Sequence, residues 1–184
     1  MIIVWVLLSF LSGSLPFSVW IGALVLQTDI RTIGDGNPGA SNVWKAGGAL
    51  WGVWAIVLDF AKGAIPVVIF NDWVELEGWK LTAVALAPIL GHAFSPFLRF
   101  QGGKALAVTF GIWTGLTLWF APTVLGIVFG IWLTIVKNDA WAVMLGLLTL
   151  LLAFLLFDNN PVYLSVWVGC FLILGWKHRL EIIW

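Results

Sequence analysis

The chain has 184 residues, of which 61% are hydrophobic and 10% charged, against about 25% charged in a soluble domain. With a mean hydropathy of +1.04, it has too little polar side chain to cover a globule of this size in water. A water-soluble enzyme, a secreted disulfide scaffold and a disordered tail are excluded. What remains is one all-α integral membrane domain over residues 1–184. Nine Lys and Arg balance nine Asp and Glu, so bulk electrostatics argue against a nucleic-acid partner.

A helix needs about 20 apolar residues to cross a bilayer core. The first predicted span is Ile2 to Leu26, uncharged but interrupted by Gly13 and Pro16. The second runs from Ala49 to Phe70 and holds Asp59 and Lys62; the third runs from Leu81 to Leu98. Ala105 to Val136 is 32 uncharged residues, too long for one span, and is read as two short or tilted helices that turn near Phe120 to Pro122. The sixth is Ala140 to Phe157 and the seventh Pro161 to Trp176. With the N-terminus outside and the C-terminus cytoplasmic, seven basic residues (Arg31, Lys45, Arg99, Lys104, Lys137, Lys177 and Arg179) fall inside and only Lys80 outside. That distribution obeys the positive-inside rule. The lone Cys170 lies in an apolar stretch and excludes a disulfide framework.

The polar residues gather in three segments that this topology places on the cytoplasmic face. In the first, Asp29 to Asn42, Gly34, Gly36 and Gly39 let the backbone come close to a ligand. Successive N–H groups in such a loop can cradle an anion; Asn37, Ser41 and Asn42 add donors, and Arg31 and Lys45 add charge. A hydrated interhelical turn fits the same composition. In the second, Gly102-Gly103-Lys104 opens a helix and offers free N–H groups, a positive dipole end and an ammonium. The spacing is not that of a P-loop. His92 lies inside the third span, as either a core group or a functional one. The third segment, Trp176 to Glu181, reads by itself as a basic anchor for lipid headgroups. Asp59 and Lys62, three apart on one helix face, read as an ion pair that supports the site from beneath. No clustered His ligands suggest a metal, and no Gly-x-Ser-x-Gly elbow is present. A small transporter for phosphate or an organophosphate also suits Gly-rich loops and intramembrane charges, but the polar motifs lie on one side and no inverted repeat is visible.

In this order the three segments resemble the bacterial acyl-phosphate:glycerol-3-phosphate acyltransferase family, the PlsY type. Asp29-Ile-Arg31, Gly34, Gly36-Asn37-Pro38-Gly39-Ala40 and Asn42 match its first loop. Asp59-x-x-Lys62-Gly63-x-x-Pro66, then Gly91-His92-x-Phe94 through Gly102-Gly103-Lys104, and finally His178-Arg179 match its later elements. The resemblance implies a multi-pass enzyme of the bacterial inner (plasma) membrane with its site at the cytoplasmic face. It would move a fatty acyl group from acyl phosphate to the sn-1 hydroxyl of glycerol 3-phosphate, giving lysophosphatidate, without a cofactor. Lys104, Asn42, His178 and Asp35 are then the expected catalytic residues, Asp35 as a candidate general base. Gly36, Asn37, Gly39, Ser41, Lys45, His92, Gly102, Gly103 and Arg31 are the expected substrate contacts. Several positions depart from the family pattern: Asp35 stands for Ser, Ser41 for Thr, Lys45 for Arg, Ala105 for Gly and Glu181 for Asn. The family's Arg-Tyr-x-Ser segment is not recognisable in Lys137-Asn-Asp-Ala-Trp141. A non-catalytic relative that keeps the fold is the alternative that the two added acids favour.

Overall fold

The computed structural model describes residues 1–183. Among them there is no strand, and the chain forms α1 (Ile2–Ser14), α2 (Phe17–Leu24), α3 (Ala40–Val68), α4 (Gly78–Ala93), α5 (Leu106–Thr117), α6 (Phe120–Val136), α7 (Asp139–Phe157) and α8 (Pro161–Ile183). Four stretches are long and apolar enough to cross a membrane: Ile2–Leu24, Ala40–Trp73, Gly78–Leu98 and Asp139–Phe157. α5 and α6 are shorter apolar helices of 12 and 17 residues. Apolar side chains face outward along the helices, as Ile3, Leu7 and Leu11 do on α1 and Leu152, Leu155 and Leu156 on α7. A lipid-facing surface requires this, and a water-facing one does not tolerate it.

The first expected span, Ile2 to Leu26, is two helices. Pro16 has no N–H to continue the ladder and pushes Leu15 out of helical geometry (φ −58°, ψ 120°). The carbonyls this break frees are capped by buried side chains: Lys62 Nζ donates to Leu15 O at 2.7 Å and Ser95 Oγ to Ser14 O at 2.6 Å. Irregular backbone at membrane depth is tolerated only where it is satisfied in this way. The second expected span starts early, at Ala40, and α3 bends at Gly48, whose φ is +74°. The third ends as a helix at Ala93 rather than Leu98, and α8 runs past Trp176 to Ile183. The turn expected near Phe120 to Pro122 falls at Leu118 and Trp119, just before α6.

Glycines set the close helix pairs. Gly63 of α3 faces the Val108 carbonyl of α5, and Gly111 of α5 faces the Phe60 carbonyl of α3, with no room for a Cβ at either. Gly13 of α1 and Gly91 of α4 pack backbone to backbone in the same manner. Small residues let membrane helices approach where no hydrophobic force drives them together. The main core is led by Trp113, Phe154 and Tyr163: the Trp113 and Phe154 rings lie 5.1 Å apart, and the Tyr163 hydroxyl donates to Leu116 O at 3.0 Å.

Candidate active site

The connection from α2 to α3 builds one wall. Asp29 accepts the Arg31 guanidinium through both oxygens, each at 2.8 Å, which turns Arg31 to the exposed outside of the loop. Gly34 takes a left-handed backbone, φ +59°, and a Cβ there would crowd Asn42 Oδ1 and Lys45 Nζ. The chain then folds Asp35 back on itself. Its Oδ1 accepts the Asn37 N–H at 3.1 Å and Asn42 Nδ2 at 3.0 Å. The fully buried Asn42 also donates to Asn37 O at 2.9 Å. Asn42 therefore shapes this loop from within.

The connection from α4 to α5 builds the second wall. Gly103 N–H donates to His92 O at 3.1 Å, and a Cβ at Gly103 would strike the His92 ring. Lys177 of α8 donates to Ala93 O at 3.0 Å and Gly102 O at 2.7 Å, which ties this loop to the last helix. Gly102 and Gly103 are spent on close packing that leaves Lys104 projecting. Ala105 follows with a left-handed φ of +63° and starts α5.

Lys104 joins the walls. Its ammonium lies 2.5 Å from Asp35 Oδ2 and also donates to Glu181 Oε1 on α8. Burial pushes the Asp35 carboxyl up, but the bonds from Lys104, the Asn37 N–H and Asn42 outweigh it and hold the group below its ordinary 3.8. Burial likewise pulls Lys104 down, and Asp35 and Glu181 more than reverse that, raising it above 10.5. Asn138, in the α6–α7 turn, donates to Glu181 O at 3.2 Å. The His178 ring faces Leu174 O from Nδ1 at 2.9 Å; a carbonyl only accepts, so Nδ1 carries the proton and Nε2 is left as an acceptor.

These walls enclose a cavity of about 780 Å³. Of the expected site residues, Asp35, Asn37, Gly39, Ser41, Lys45, His92, Lys104 and His178 line it. Arg31, Gly36, Asn42, Gly102 and Gly103 do not: Arg31 is held by Asp29, and Asn42, Gly102 and Gly103 support the walls. Asp59 reaches the cavity floor beside His92, 3.9 Å from its Nδ1, and pairs with Lys62 at 2.8 Å. Ser18 donates to its other oxygen at 3.0 Å. The expected ion pair beneath the site is thus present. Ala40, Ala105 and Glu181, named in the sequence only as family matches or departures, also line it, and the rest carried no site assignment: Lys137, Asn138 and Asp139 from the α6–α7 turn, and an apolar side made by Trp44, Ile56, Leu106, Phe129 and Val143. The positive-inside count had grouped Lys137 with Lys45 and Lys104, with which it shares the cavity, but no motif marked it.

An all-helical chain with four membrane-length stretches and a cavity lined by apolar, acidic and basic side chains defines an integral membrane protein with a polar site between its helices. The sequence model of the family described as glycerol-3-phosphate acyltransferase matches residues 3–183, and the chain belongs to that family. It is 42% identical to glycerol-3-phosphate acyltransferase 1 of Thermotoga maritima, over 95% of this chain and 93% of that protein. It is 35% identical to the glycerol-3-phosphate acyltransferase of Maridesulfovibrio salexigens, over 98% of this chain and 91% of that one. The crystal structure of PlsY (YgiH), an integral membrane glycerol 3-phosphate acyltransferase, in its glycerol 3-phosphate form superposes with a TM-score of 0.90 at 27% identity, over 99% of this chain and 90% of that chain. Its lysophosphatidic acid form gives 0.87 at 28% identity, with the same coverage.

Proposed function

We propose that this chain, as a single membrane-embedded domain of residues 1–184, transfers a fatty acyl group from acyl phosphate to the sn-1 hydroxyl of glycerol 3-phosphate. The products are lysophosphatidate and phosphate, and the step belongs to phospholipid synthesis. The observation that carries the reading is the Lys104 junction, where one ammonium from the α4–α5 loop meets the first loop and α8 at the mouth of a half-apolar cavity.

The acceptor hydroxyl adds to the acyl carbonyl carbon, the bond from that carbon to the phosphate oxygen breaks, and phosphate leaves. The hydroxyl proton passes to a substrate phosphate oxygen. Phosphate is a good leaving group, so placement and charge stabilisation suffice without a covalent enzyme intermediate. Lys104 and Lys45 meet phosphate charge. Asn37, Ser41 and the free Nε2 of His178 orient the acceptor. Asn42 acts through the loop it holds, and Asp35 competes with the incoming phosphate for Lys104. The acyl tail lies against Trp44, Ile56 and Phe129.

In this reading α1 and α2 together make one crossing and α3 to α8 make six more, seven in all, with the N-terminus outside and the C-terminus in the cytoplasm of a bacterial cell. The connections that build the cavity then share the cytoplasmic side, as the positive-inside rule asks. Membrane insertion of reporter fusions after Leu26 and after Asn160 tests this orientation. Palmitoyl phosphate and labelled glycerol 3-phosphate, supplied to the purified protein in lipidic phase, test the activity. Lysophosphatidate that requires Lys104 is expected. No product from folded protein, with another family member active alongside, overturns the reading.

A further inference from the structure

Three lysines line the cavity: Lys45, Lys104 and Lys137. Lys104 is held by Asp35 and Glu181. Among the described residues, neither Lys45 nor Lys137 makes an ion pair. Two unpaired cations in one cavity match the two phosphates of the proposed reaction, on which this inference rests.

The two lysines have different surroundings. Lys45 shares its wall with Asn37, Gly39 and Ser41, polar groups that suit a small, polar acceptor, while Trp44 and Ile56 of the same helix belong to the apolar side. Lys137 belongs to the α6–α7 hairpin, which also supplies Phe129 and Val143 to the apolar side. In acyl phosphate the charged group is bonded directly to the first carbon of the chain, so its site must set a cation beside an apolar wall. That hairpin supplies both. Lys137 ends α6 in a left-handed backbone, φ +50°, ψ +26°, a conformation that costs a lysine energy and that glycine or asparagine adopts readily. Asn138 beside it caps α7 through the Trp141 N–H at 3.0 Å and bonds to α8 through Glu181 O, so the turn is held at both ends. Asp139 also lines the cavity; its place in the first turn of α7 matches the positive end of that helix.

We propose that Lys137 binds the phosphate of the acyl donor, while Lys45 with Asn37 and Ser41 binds that of the acceptor. Loss of a charge-assisted bond to phosphate weakens binding by about tenfold or more.

The test uses the full-length protein in lipidic phase with two readouts. One is binding of dodecylphosphonate, an amphiphile with an anionic phosphonate head and a tail but no acyl group to transfer. The other is the KM for palmitoyl phosphate and for glycerol 3-phosphate. Lys137→Met and Lys137→Asn should weaken dodecylphosphonate binding and raise the donor KM about tenfold or more, with the acceptor KM unchanged. The asparagine suits the left-handed turn, so it removes the charge without straining the fold. Lys137→Arg should restore most of both. Lys45→Met should raise the acceptor KM instead. Unchanged donor binding, or equal changes in both KM values, overturns the assignment. Wild-type protein that binds the phosphonate through Lys137 but makes no lysophosphatidate keeps this site and sinks the acyltransferase reading. Turnover indifferent to Lys137 sinks the site and keeps the reading. Wild type that neither binds nor turns over sinks both.

Discussion

The Lys104 ammonium lies 2.5 Å from Asp35 Oδ2, and a second carboxylate, Glu181, takes another of its protons. The cation assigned to substrate phosphate is therefore already neutralised inside the protein. A phosphate that reaches Lys104 must displace or repel Asp35. Asp35→Ser removes that competitor, and Glu181 stays to keep Lys104 from being a lone charge. The expected result is a KM for glycerol 3-phosphate lower by about twofold to fivefold, in line with a partly exposed ion pair. Steady-state kinetics check it, and an unchanged or higher KM shows that Asp35 does not act by repulsion.

Lys104→Ala has the opposite consequence. It leaves Asp35 and Glu181 facing one cavity without the cation that joined them, and it removes the group placed to offset phosphate charge. Turnover should fall by about 100-fold or more, the range seen when a transition-state donor is deleted. Product formation measures this, with thermal unfolding alongside to show that the protein remains folded. Near-normal turnover would remove Lys104 from the chemistry.

The same junction sets a pH window. Asp35 is held below 3.8, so its contribution to stability is present above that value and is lost as pH falls through the lower folded value. Lys104 is raised above 10.5, so its contribution is present below 10.5 and is lost as pH rises through the higher folded value. The tie between the first loop, the α5 entrance and α8 thus persists from about pH 4 to about pH 10. Thermal unfolding should be insensitive to this junction across that range and should weaken on either side. Asp35→Asn should flatten the acid limb; an acid limb identical to wild type would show that Asp35 contributes nothing to it.

Much of this site was legible because glycine and polar residues are conspicuous in a chain so apolar. Asp35, Asn37, Lys45 and Lys104 stood out from their neighbours, and alternating spans sent them to one side. Side-chain partnerships, apart from the Asp59–Lys62 pair, were not legible. Nothing in the spacing of Arg31 revealed that Asp29, two residues earlier, would capture its guanidinium. Lys177 read as a lipid anchor, yet it bonds two carbonyls of the α4–α5 loop, a long-range contact that sequence order does not encode. Lys137 carried no motif, and its importance lies in what the hairpin brings near it. Span boundaries moved for a related reason. Whether a helix ends at Ala93 or Leu98 depends on which carbonyls another segment caps.

Beneath the cavity, Asp59 and Lys62 are almost wholly buried, with side-chain exposures of 2% and 3%. Lys62 also caps Leu15 O at the break between α1 and α2. Asp59→Asn keeps the shape but strips the ammonium of its counter-charge. Removal of one partner from a buried pair costs about 3–5 kcal/mol. The variant should unfold at a markedly lower temperature, and replacing both partners together by apolar residues should cost less than the sum of the two single changes. A wild-type unfolding temperature in Asp59→Asn would mean that the pair does not hold the floor of the site.

Ala105 poses a backbone question. It sits in the left-handed region, φ +63° and ψ +15°, where glycine is at ease and where alanine pays about 1–2 kcal/mol. Ala105→Gly relieves that strain. It also gives up a methyl group that is 2% exposed, worth about 0.8 kcal/mol, and it loosens the unfolded chain by about 0.4–1 kcal/mol. These effects nearly cancel, which explains how the chain accepts alanine directly after Lys104. Valine gains no such balance: a β-branched residue is a true outlier at this φ, and its extra methyls must enter a packed wall at a cost of about 1–3 kcal/mol. In a chain of this size about 1 kcal/mol moves Tm by about 2–4 °C. Ala105→Gly should therefore stay within about 2 °C of wild type, and Ala105→Val should lose about 4 °C or more. Thermal unfolding of the two variants side by side checks this. A valine variant as stable as wild type would mean that residue 105 is not held in the left-handed conformation, and that the path of the chain from Lys104 into α5 is different.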